Sequence, residues 1–155
     1  MKDISTLFPP GYEWRGECIR AAVLYGLAFL HSLFYFGALH EEYGRLFYYD
    51  GRTGEKVLRT GAKMMPYEQV LGNYLIGFVL LMAFALTIAV MHYLYYYQGS
   101  RSILLVRRLP KRSFLWMTCG AGPALAIVAL ALTYVSLYLL YYGIYVWVTS
   151  AVCLP

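Results

Sequence analysis

The sequence predicts an all-α integral membrane protein with three transmembrane helices, a short cytoplasmic amphipathic helix and a small extracytoplasmic β-hairpin loop. Three observations predict it. Hydrophobic residues make up 61% of the 155 residues and charged residues 14%, against about 45–50% and about 25% in an ordinary globular domain. Three apolar runs each reach the roughly 20 residues that a bilayer crossing needs. The excess positive charge is confined to the segment between the second and third runs.

The first run is Ile19 to Leu39, with Arg20 at its entry. A cleavable signal peptide is the rival reading. The run is long for that, and no A-x-A-like site follows it. The second run spans about Tyr74 to Tyr97. The third starts near Phe114 and carries no charge afterwards. Helix from Phe114 to Trp147 would be about 50 Å long, against a hydrocarbon core of about 30 Å. The expected crossing is therefore about 115–138, with 139–155 as an outer tail. Two short crossings are the alternative, although no polar turn separates them. Pro123 should kink it, because proline removes a backbone donor and crowds the carbonyl of Cys119. The expected organisation is one membrane domain with spans at about 19–39, 74–97 and 115–138.

Between the first two spans lies a loop at 40–73. It is too long for a plain turn. Leu46–Tyr49 and Lys56–Arg59 flank a glycine-rich turn and read as a β-hairpin. Its expected roles are an outer cap, a partner contact or simply a solvated loop.

The 13 basic residues fall in three segments. Lys2, Arg15 and Arg20 are balanced by Asp3, Glu13 and Glu17. Arg45, Arg52, Lys56, Arg59 and Lys63 are balanced by Glu41, Glu42, Asp50, Glu55 and Glu68. The net charge of +5 therefore resides in Arg101, Arg107, Arg108, Lys111 and Arg112. Charge held in one connector between apolar runs argues against a nucleic-acid partner. Cytoplasmic loops collect Lys and Arg, so connector 98–113 should face the cytoplasm. The N-terminus is then inside, and the 40–73 loop and the C-terminus outside.

Catalytic motifs are lacking: no P-loop, no defensible Ser/His/Asp order and no metal cluster. Cys18, Cys119 and Cys153 include no Cys-x-x-Cys pair, so zinc and thioredoxin-like readings have no support. Cys119 reads as a small packing residue. His31 and His92 would sit about 18 and 8 Å from the inner ends of their spans. That offset of roughly 10 Å argues against joint ligation of one haem. His92 reads as an interfacial polar residue, and His31 as a hydrogen-bonding one. The 17 tyrosines suit membrane interfaces. Small residues recur four apart at Ala22/Gly26, Ala85/Ala89, Gly120/Ala124 and Gly122/Ala126. They mark close helix packing or simply reflect span composition.

In the connector, Gly99 ends the second span and Ser100 can cap a new helix. At about 100° per residue, Ile103, Leu105, Val106 and Leu109 share an apolar arc. Arg101, Arg107 and Arg108 lie opposite. Pro110 steers Leu109 out of helical geometry, and Lys111 and Arg112 follow at the interface. This describes an amphipathic helix in the inner headgroup plane. It can serve as a topology signal and lipid anchor, at roughly 1 kcal/mol per basic residue near anionic lipid. Alternatively it presents an arginine face to an acidic groove on a cytoplasmic partner.

The stretch "QGSRSILLVRRLPKR" resembles a segment of small Gram-positive bacterial membrane proteins associated with ABC-type exporters. The tail "YYGIYVWVTSAVCLP" is similar to the end of their third span. The likeness covers about 95–155 and extends to the rest only by layout. It implies a permease-like or accessory subunit in the bacterial cell membrane. An ABC ATPase subunit would dock on Ser100, Arg101, Arg107, Arg108, Leu109, Pro110, Lys111 and Arg112. This chain would carry no cofactor, since ATP would be held by the partner. Three spans are few for an export path, so a second copy or another membrane subunit is expected. The alternatives are an immunity, sensor or other interaction protein acting through the outer hairpin, and a haem-bearing anchor subunit of a redox complex.

Overall fold

The computed structural model describes residues 14–52, 54–59, 61–98, 113–149 and Cys153, with the backbone alone at 14, 95–98 and 113–119. Six elements follow in order: α1 (Trp14–Arg45), β1 (Phe47–Tyr49), β2 (Lys56–Leu58), α2 (Tyr67–Leu71), α3 (Ile76–Gln98) and α4 (Ser113–Val148). Among them, α1, α3 and α4 are long and apolar enough to cross a membrane.

These three helices lack a polar face. Leu30, Phe34, Leu80, Leu86, Leu132 and Leu139 are each about 60% exposed. In water each would forfeit roughly 1.5–3 kcal/mol of transfer free energy. A helix that is apolar all round is suited to a bilayer or a large core.

Helix ends differ from those the hydropathy predicts. The first helix continues through His40 to Arg45 instead of stopping at Leu39. Glu41 and Glu42 each bond the guanidinium of Arg45, at 3.0 and 2.6 Å. These i,i+4 and i,i+3 pairs support the helix where it runs almost two turns past the apolar run. The third helix is unbroken for 36 residues, about 54 Å at 1.5 Å per residue. It includes Pro123 and continues as helix past Tyr138 to Val148. A helix ends where its backbone hydrogen bonds fail, and nothing from Leu139 to Val148 interrupts them.

The chain divides into two compact units. One comprises Met1–Gly26 and Phe78–Thr133, and the other Leu27–Gly77 and Tyr134–Pro155. In the first unit, two threonine hydroxyls are satisfied locally. Thr87 and Thr133 donate to the carbonyls of Ala83 and Ala129, four residues back, which conceals a polar group within an apolar helix. Tyr25 sets its ring edge-on to Phe78 with centroids 5.9 Å apart.

The second unit contains the hairpin. Its antiparallel register pairs Phe47 with Leu58, Tyr48 with Val57 and Tyr49 with Lys56. The strands are one residue shorter than expected at the Leu46 and Arg59 ends. Even so, the Arg59 amide donates to the Leu46 carbonyl at 2.9 Å. The turn closes through Gly54, whose φ of +68° is costly for residues with a Cβ. Asp50 accepts from the Arg52 amide at 3.0 Å, an Asx turn. Helix α2 was not anticipated. Pro66 precedes it in extended geometry and Gly72 ends it at φ 46°. Proline at a helix start and glycine past its end is the asymmetry that could have revealed it.

The approach of Gly77 to α1 is close. A methyl group built there would lie 3.0 Å from the Ala28 Cβ. At Gly26 it would meet nothing within 4 Å. We expect Gly77→Leu to cost about 1–3 kcal/mol through overpacking and Gly26→Leu much less. Thermal unfolding in detergent checks this. Equal midpoints for the two variants would refute the close approach.

Candidate functional site

The residues expected to dock a partner, Ser100, Arg101, Arg107, Arg108, Leu109, Pro110, Lys111 and Arg112, lie outside the described residues. What the structure fixes is their frame. The segment 99–112 joins the last residue of α3 to the first of α4. Pro123 is described: it is buried and lines a cavity in the first unit.

That cavity measures about 360 Å³. Three helical segments surround it: Glu17–Tyr25 of α1, Leu81–Ile88 of α3 and Gly122–Leu130 of α4. Its walls are small at matching positions. Ala22 faces in from α1, Ala85 from α3, and Gly122 and Ala126 from α4. These are four of the small residues whose spacing suggests close packing. Here they leave room instead of contact.

Glu17 is the single charged group among the described residues lining the cavity. Its Oε2 lies 3.1 Å from Nε2 of His92. A carboxylate only accepts, so the imidazole Nε2–H donates. His92 is 1% exposed, and a buried polar ring requires a partner. Residue 17 stands in the first turn of α1, where a negative charge is favoured by the helix dipole. The sequence signal for this pair was weak, since 75 residues separate its members.

The second unit has a different polar device. Tyr35 stacks on Tyr141 with centroids 4.5 Å apart and planes 12° from parallel. Its hydroxyl donates to the Tyr141 carbonyl at 3.1 Å. Tyr67 donates to the Tyr138 carbonyl at 2.8 Å, and Tyr145 to the Met65 carbonyl at 2.7 Å. Ser32 completes the set, 3.0 Å from the Tyr141 hydroxyl. These tyrosines are internal ties: Tyr35, Tyr67, Tyr141 and Tyr145 are all buried. Beyond them, Met64 donates its amide to the Cys153 carbonyl and Thr149 bonds the Met64 sulfur. Thr149 is thus anchored. His31 meets the rings of Phe34 and Tyr74 at 6.1 and 6.0 Å. It also lines a more polar cavity of about 340 Å³ with Glu41, Glu42, Gln69 and Asn73.

Among the described residues, no group of three or more His, Cys, Asp or Glu side chains is placed to hold a metal ion. No family model, no curated protein and no solved structure matches the chain.

Burial, helped by Tyr35 and Tyr138, pushes the Tyr67 hydroxyl well above its ordinary value of 10.0. Protonated Tyr67 is favoured in the folded chain, so its contribution is complete below pH about 10 and declines as pH rises further. We expect Tyr67→Phe to lose about 1 kcal/mol at pH 8 and to flatten the decline above pH 10. Unfolding midpoints at pH 8 and 11 measure both effects. A Tyr67→Phe curve parallel to wild type would exclude the burial effect.

The Glu17–His92 pair has its own test. Losing a hydrogen bond to a charged group costs about 1.5–3 kcal/mol. We expect Glu17→Ala and His92→Ala each to destabilise by that order and to be strongly non-additive. A double-mutant cycle in denaturant decides it; additive losses would mean the contact contributes nothing.

Proposed function

We propose that the chain is a non-catalytic, permease-like or accessory subunit of an ATP-driven ABC-type export complex. It resides in the bacterial cell membrane with its N-terminus in the cytoplasm. The observation that supports this reading most is the connector 99–112. It places Arg101, Arg107, Arg108, Lys111 and Arg112 together without an acid, between two helices apolar enough to span a bilayer. Positive charge at that position orients the flanking spans with the connector inside. The likeness of "RRLPKR" to the connector of exporter-associated membrane proteins supplies the partner class.

The mechanism is mechanical. The ATPase subunit binds and hydrolyses ATP, and its closure displaces the docked connector. The connector is covalently continuous with α3 and α4, so displacement is delivered to both helices. Pro123 lies near the start of α4, where a missing backbone hydrogen bond makes bending cheapest. A second copy or another membrane subunit completes the path.

Charge reversal tests docking. We expect Arg107→Glu with Arg108→Glu to leave membrane insertion intact. A buried charge pair broken at an interface costs about 2–5 kcal/mol, so recovery of the ATPase on the affinity-purified chain should fall more than tenfold. If the double variant still co-purifies the ATPase and stimulates its turnover fully, the connector is a lipid anchor and topology signal instead.

A further inference from the structure

We propose that the cavity between α1, α3 and α4 is a binding site for a single-chain lipophilic amine, with Glu17 as the counter-charge for its ammonium group. The site lies in the first compact unit, and the proposal does not depend on the ATPase partnership.

Three observations carry it. The first is the void itself. Small residues on apolar helices normally bring backbones together, as Gly77 does against Ala28. Ala22, Ala85, Gly122 and Ala126 instead border about 360 Å³ of space. Empty apolar volume of that size forfeits contacts on every wall, so an occupant is favoured. At about 30 Å³ per water-sized group, it admits about a dozen non-hydrogen atoms. That is a chain of about ten carbons with a small head.

The second is access. Ala21, Ala22 and Ala126 are exposed, whereas Ala85, Pro123 and Leu130 are buried. The cavity therefore opens at a surface that is itself apolar, and a ligand would enter from the lipid phase. The third is charge. Glu17 is the single charged side chain among the described residues of the lining, and it is only 15% exposed. His92 holds it in place through Nε2. An apolar site with one fixed negative charge favours a cationic head over a neutral or anionic one, because a cation entering it needs a partner.

The experiment uses the purified full chain in phosphatidylcholine nanodiscs, without any ATPase, and subtracts binding to empty discs. The probes are decylammonium, decanol and decanoate, which share a chain and differ in head. Decylammonium should bind saturably, one per chain, at least tenfold more tightly than the other two. Glu17→Gln should erase that preference. Ala126→Leu, which fills the cavity, should weaken decylammonium more than tenfold. Should that variant unfold, Ala22→Leu fills the same space from α1. Equal binding of the three probes would overturn the proposal and leave a lipid acyl chain as the occupant. So would binding that survives both filled-cavity variants, or a head-group preference that survives Glu17→Gln.

Discussion

Everything in this structure depends on one constraint. A chain with so few charges must satisfy its backbone hydrogen bonds internally wherever it leaves water. An unpaired amide or carbonyl in hydrocarbon costs several kcal/mol. Long helices meet that constraint segment by segment, without help from neighbours. The apolar stretch of α4 accordingly lies within one unbroken helix of 36 residues. Stopping inside an apolar stretch would strand four carbonyls.

The same constraint governs side chains. Among the described residues, several polar groups inside the apolar elements have partners that keep them inexpensive. Threonines turn back on their own helix. Tyrosine hydroxyls seek carbonyls in α4 and in the segment before α2. A helical carbonyl has a second lone pair to offer, so these bonds do not compete with the helix. Tyrosine suits this use because it contributes a large apolar surface and one donor at a fixed reach.

Glycine and alanine serve two opposite ends. Gly77 has no side chain because Ala28 occupies its space. Across the other unit, small residues face small residues and leave a cavity. The difference is one of registration: a small residue brings helices together only when the opposing residue projects into its place. Spacing along one helix carries no information about what stands opposite.

The sequence by itself determined the apolar helices, their number and the hairpin between the first two. Hydropathy, length and glycine-rich turns are local properties, and helices that bond internally need only local information. Helix ends were less legible, because Arg45 extends α1 through charge pairs and α4 ignores the fall in expected span length. Tertiary structure alone decided which side chains meet. Glu17 finds His92 over 75 residues, and Tyr35 finds Tyr141 over 106. The 17 tyrosines looked like interface residues because amphipathic rings serve both settings, and only the fold distinguishes a ring at a boundary from one bonded inside. The connector's charge is legible in composition alone. The cavity came from three helices whose small residues coincide, which no single stretch of sequence records.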